Sequence, residues 1–171
     1  MLAVEPTAAL RAKIAENPGV VFEDCAREHN VAPRAVVEAL PEEMRRFAPG
    51  DKFIDAMNDI AEWGDVQVIV HTEDGIMETG GPIPKGSVAR GHFNLMGRTG
   101  FHGHLKYERC ATIAFVERPF MGRTSNLVIF INRDGGIMFK VFVGRDETRA
   151  LRGDQLVRFH ALADRLAPKA G

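Results

Sequence analysis

Over the first sixty residues, apolar positions recur at helical spacing. Residues 8–16 form one such segment, stopped by Asn17-Pro18-Gly19, and residues 21–29 form a second. Pro33 suits the first turn of a third helix. Its Val36, Val37, Leu40 and Met44 keep the period, while Pro41 kinks or divides it. Residues 51–62 predict a fourth helix, with Ile54, Met57 and Ala61 on one stripe. After Trp63-Gly64 the period falls to two. Residues 65–72 (DVQVIVHT) read as a strand, 72–75 as a hairpin turn and 76–79 as the returning strand. The run GGPIPKG at 80–86 reads as a loop. Further strands are expected near 92–96, 100–107, 112–116, 126–132 and 137–143, with a tight turn at Asp134-Gly135-Gly136. One long helix, about residues 146–166, closes the chain on a stripe of Leu151, Leu156, Phe159, Leu162, Ala163 and Leu166.

Helices, then hairpin-linked strands, then a helix predict an α+β domain. Its antiparallel β-sheet would carry an N-terminal helical segment and a C-terminal helix packed against one side. The 171 residues fit a single domain: a helical segment at 1–62, the sheet at 63–143 and the C-terminal helix at 144–171. A content of 45% hydrophobic and 26% charged residues is ordinary for a globular core and argues against disorder. With 22 basic and 23 acidic residues, overall charge gives no reason to expect nucleic acid or an anionic membrane as partner. Cys25 and Cys110 make no metal-type spacing and read as small buried hydrophobes. The N-terminus lacks a basic segment before an apolar run, and no stretch approaches the roughly 20 apolar residues that span a bilayer. A cytoplasmic protein without membrane insertion is expected.

The candidate chemistry lies with the histidines. His29 ends a helix and His160 flanks the last helical stripe, both unremarkable positions. His71, His92, His102 and His104 fall in the sheet region. In residues 65–72 the valines share one face, the core face, while Gln67, Ile69 and His71 share the other. Taken alone, His71 reads as solvent-exposed. In residues 100–107, His102, His104 and Lys106 share a face, with the two imidazoles about 7 Å apart. His71 with this pair could serve one site. Counting leaves zinc open, with His71, His102 and His104 as three ligands. Haem needs one or two imidazoles, an apolar surface and cations for its propionates. Phe93, Leu95, Met96, Phe101, Phe139 and Phe142 could supply that surface, although sheet core is the commoner role for most of them. Arg90, Arg98, Lys106 and Lys140 could meet the propionates.

Seven short segments, in order, resemble one family across nearly the whole chain. They are PGDKF at 49–53, EWG at 62–64, VHT at 70–72, FNLMG at 93–97, GHLK at 103–106, ERPFMG at 117–122 and MFKVFVGRDE at 138–147. Together they are similar to the intracellular haem-utilisation carriers of the ChuX/HutX type, relatives of each half of the larger HemS/ChuS proteins. The resemblance implies an antiparallel sheet with flanking helices, a homodimer, and cytosolic haem binding with delivery to a haem-accepting protein. It places the iron ligands at His71, in VHT, and His104, in GHLK. Parity alone does not separate His102 from His104; the motif's neighbours favour His104. Two imidazoles filling both axial positions would leave no site for dioxygen, and so disfavour haem degradation. In a dimer the two could come from different chains.

Three rival readings carry less. A haem-degrading relative shares the same resemblance. A flavin- or nicotinamide-dependent split-barrel oxidoreductase would use the loop at 80–91, with Lys85 and Arg90 facing a phosphate, but the strand–loop–helix context is missing. A helix-turn-helix around residues 26–34 would carry Glu38, Glu42, Glu43 and Pro41 on its recognition helix, which suits phosphates poorly.

Overall fold

The computed structural model describes Leu2, residues 5–97 and residues 101–168. Three helices come first: α1 (Ala8–Glu16), α2 (Phe22–His29) and α3 (Pro33–Ala39). Strand β1 (Arg45–Pro49) and helix α4 (Phe53–Ile60) follow. The strands β2 (Asp65–Thr72), β3 (Gly75–Pro82), β4 (Gly86–Ala89), β5 (His92–Met96) and β6 (His102–Leu105) come next. The chain ends with β7 (Cys110–Phe120), β8 (Arg123–Asn132), β9 (Ile137–Phe142) and helix α5 (Gly153–Leu166). Two antiparallel sheets form: a large one in the order β1-β7-β8-β9-β2-β3 and a small one in the order β4-β5-β6.

Alternation along the strands sorts apolar residues into two cores, one on each face of the large sheet. On one face Val66, Val68, Phe115, Phe130 and Val141 pack against α4, α5 and the buried Phe93 and Leu95 of the small sheet. On the other, Ala114, Val116, Leu127, Ile129 and Ile131 pack against α1, α2 and α3. The fold is therefore α+β as expected, but the helices cover both faces rather than one. β7 and β8, buried on both sides, accordingly read as continuous apolar runs instead of alternating ones. α3 buries Ala35, Val36, Val37 and Ala39 in the core beneath the N-terminal helices.

Several elements depart from the sequence reading. The helical period at 34–44 stops at Ala39, before Pro41, and residues 45–49 enter the large sheet beside β7. β3 runs on through Gly80-Gly81-Pro82, predicted as loop, and β4 pairs with β5 where no strand was expected. The last helix begins at Gly153 rather than near 146. Asp146 accepts hydrogen bonds from the amides of Thr148 and Ala150 and the hydroxyl of Thr148, which closes a turn there instead. Those donors hold the Asp146 carboxyl below its ordinary range. Gln155, 0% exposed, then ties α5 to the sheet. Its amide donates to the carbonyls of Trp63 and Asp65 and accepts from the Gly144 amide.

Cys25 and Cys110 are free thiols buried in opposite cores. Burial pushes the Cys25 thiol up and the Cys110 thiol up to about 11, so both behave as the apolar residues their spacing suggested. Among the described residues no helix is long and apolar enough to cross a membrane.

Candidate functional site

His71 sits near the end of β2, in the row Gln67, Ile69, His71 that faces the N-terminal helices. α2 buries Phe22, Cys25 and Ala26 against that side and ends on Asn30, whose left-handed φ of 51° turns the chain back. The same helical face points Glu23 inward. Its Oε1 accepts a 2.6 Å hydrogen bond from Nζ of Lys140, the residue opposite Ile69 in the sheet. Its Oε2 makes no aligned hydrogen bond among the described residues and lies 3.2 Å from Nδ1 of His71. Nε2 of His71 is 3.8 Å from Oδ1 of Asp24. The His71 side chain is only 7% exposed, so the solvent-exposed reading fails: α2 lies over it. Arg118 backs the cluster, its guanidinium 3.8 Å from the Phe22 ring centroid and donating to the carbonyls of Pro18 and Val20. Burial lowers that guanidinium to about 10, with Glu23 opposing the shift, which leaves it cationic at neutral pH. His71 lines a cleft of about 420 Å³ together with Glu23, Ala26, Arg27, Val31 and Ile137.

The small sheet carries the other three histidines. Its register places His92 opposite Ala89, His104 opposite Asn94 and His102 opposite Met96, all on the face turned away from the core. Nδ1 of His104 donates to Oδ1 of Asn94 at 2.6 Å. The Asn94 amide nitrogen in turn donates to the carbonyls of Ser87, Ala89 and His92, which fixes which end of the amide meets His104. The His92 ring stands edge-on to His104, centroids 6.4 Å apart, with its own Nδ1 bonded to the Arg90 carbonyl. His102 borders a separate apolar cleft of about 290 Å³ with Val70, Met77, Phe101, Leu105 and Met138.

His71 and His104 are therefore not brought together within one chain. β2 and β6 belong to different sheets, and the core holding Val68, Phe93 and Leu95 lies between them. Strand parity puts both on a shared surface only if the strands belong to one sheet, and here they belong to two. A zinc site from His71, His102 and His104 fails for the same reason. Among the described residues no cluster of three or more His, Cys, Asp or Glu is arranged to hold a metal ion.

Of the apolar candidates, Phe93, Leu95 and Phe139 are core, Phe101 and Phe142 are half-buried, and Met96 is exposed. Of the cationic ones, Lys140 is consumed by Glu23, Arg90 and Lys106 are exposed, and Arg98 lies outside the described residues. Lys85, the phosphate partner of the oxidoreductase reading, is paired with Glu62 at 2.7 Å. Sequence reasoning missed Glu23 and Asn94. For Asn94 a signal existed, since FNLMG and GHLK are neighbouring strands whose register sets Asn against His.

The comparisons with known proteins agree with one another. Residues 46–162 match the family model for haem utilisation ChuX/HutX. The intracellular heme transport protein HutX of Vibrio cholerae serotype O1 is 41% identical over 148 residues, covering 86% of this chain and 77% of that protein. A crystal structure of an Erwinia carotovora protein superposes with a TM-score of 0.89 at 43% identity, covering 94% of this chain and 99% of the other. A structure of the heme binding protein ChuX gives 0.83 at 39%, covering 92% and 98%. The chain belongs to the haem utilisation ChuX/HutX family.

Proposed function

We propose that this chain is a cytoplasmic haem carrier that acts as a homodimer and holds the iron through His71 and His104. The observation that carries the reading is common to both side chains. Each turns Nδ1 toward a protein oxygen, Oε2 of Glu23 or Oδ1 of Asn94, so that in the neutral ring Nε2 is the nitrogen able to meet a ligand. A metal-binding imidazole needs that arrangement, because the lone pair that binds iron must sit on the nitrogen that carries no proton. The similarity to a heme transport protein and a heme binding protein supports haem as the cargo. Because one chain keeps the two histidines on opposite sides of its large sheet, the dimer supplies one from each subunit. Ile76 and Met77, exposed on the edge strand β3, are apolar surface of the kind a second copy covers.

Iron held on both sides by imidazole has no free position for dioxygen, so the cargo is carried without being oxidised. Haemin titrated into the apo-protein is expected to give a saturable histidine-type Soret band at one haem per chain. His71→Ala and His104→Ala should each lose that spectrum; a spectrum unchanged in both sinks the assignment. Release of bilin when the complex is incubated with reductant under air would make it a degrading enzyme instead.

A further inference from the structure

We infer that Glu23 is the positioning residue for His71: its carboxylate, held by Lys140, orients the imidazole with Nδ1 protonated and Nε2 left as the nitrogen that can meet a ligand. The inference rests on the haem reading above and names the group that prepares one ligand of that site.

Glu23 is buried as the counter-charge of Lys140, but that pair engages only one of its two carboxylate oxygens. It is 7% exposed, on a helix whose other inward positions are Phe22, Cys25 and Ala26. A buried carboxylate needs a partner for each oxygen. Lys140 satisfies Oε1 at 2.6 Å. Oε2 is the other end: it lies 3.2 Å from Nδ1 of His71, within ion-pair distance but without an aligned hydrogen bond among the described residues. A carboxylate oxygen only accepts, so the shared proton is on Nδ1. In the neutral ring Nε2 is then the nitrogen with the lone pair. Among the described residues its nearest acidic neighbour is Asp24 Oδ1 at 3.8 Å, and the side chain borders the 420 Å³ cleft. Lys140 has a defined part here. By taking Oε1 it leaves Oε2 as the only carboxylate oxygen free to bond the imidazole. Carboxylate–histidine–metal relays of this kind raise the donor strength of the ring and hold its orientation, and their loss typically costs 10–100-fold in metal affinity.

The test uses the full chain and compares wild type, Glu23→Gln and the double variant Glu23→Gln/Lys140→Met, which removes the cation that Gln would leave unpaired. Nitrogen NMR of His71 in the apo-protein reads the tautomer without any haem. Wild type is expected to show protonated Nδ1, and both variants a mixture of tautomers. In the haemin complex the variants should bind roughly 10–100-fold more weakly. Their iron reduction potential should also rise, because a less basic imidazole stabilises ferric iron less. A structural role alone would move stability but neither the tautomer nor the potential. If His71→Ala abolishes the haemin spectrum while tautomer, affinity and potential are unchanged in the Glu23 variants, positioning by Glu23 is overturned and the haem reading stands. If His71→Ala leaves the spectrum intact, the haem reading of His71 fails, and this inference fails with it.

Discussion

Lys140 and Glu23 are 7% and 9% exposed at their side chains, and they reach each other from β9 and α2. An ion pair this deep adds little net stability, because removing both charges from water offsets most of their attraction. Breaking it is another matter. Lys140→Met leaves the Glu23 carboxylate buried without its cation, and is expected to cost about 3–5 kcal/mol. Urea denaturation would show this as a lower midpoint at unchanged slope. The double variant Lys140→Met/Glu23→Gln should recover most of the loss, since no uncompensated charge remains. Equal destabilisation in single and double variants would show that Lys140 contributes by packing and not by charge. The pair's position also explains why Lys140 cannot meet a propionate, as its sequence neighbourhood had suggested.

Two hairpins turn on residues poorly suited to their backbone. Met121-Gly122 joins β7 to β8 as a two-residue loop with φ of 49° and 75°, and Arg90-Gly91 joins β4 to β5 with 54° and 74°. Positive φ at both positions is the type I′ turn, which favours Asn-Gly. Met121 is 86% exposed and has no packing to lose. Met121→Asn is therefore expected to stabilise the protein by about 0.5–1 kcal/mol, read as a higher melting temperature. No gain would mean that the Met side chain is held by a contact at the hairpin tip. The same chemistry decided what the sequence disclosed. Asp134-Gly135 announced the β8–β9 turn, whereas Arg90-Gly91 and Met121-Gly122 hid theirs. The sequence pattern therefore shows neither β4 nor the facing ends of β7 and β8. β1 was hidden by its polar Arg45-Arg46 start and its closing Pro49, and takes its conformation from pairing with β7. β2 was plain because its valines face a core and its other side is half-covered, which leaves a clean period of two. Of the candidate site, the strand faces of the histidines were legible. The carboxylate that meets His71 was not, because that contact joins a helix and a strand 48 positions apart and leaves no periodic trace.

At the scale of the whole molecule, the large sheet is a partition. It gives His71 to the side of α1, α2 and α3, and leaves His104 beyond the opposite core on the outer face of the small sheet. A monomer thus presents two separate imidazoles, each with Nδ1 facing a protein oxygen. A closed two-fold dimer would use both surfaces of each copy, so that two haem sites form and each takes His71 from one chain and His104 from the other. Subunit mixing separates this arrangement from one in which a single chain supplies both ligands. His71→Ala and His104→Ala proteins, each deficient alone, are mixed in equal amounts under conditions that exchange subunits. Random pairing makes half the dimers mixed, and each mixed dimer holds one site with both histidines and one with neither. Roughly a quarter of all sites should then regain the wild-type Soret spectrum. If both ligands came from one chain, no mixed dimer would contain an intact pair and the mixture would stay as deficient as its parents.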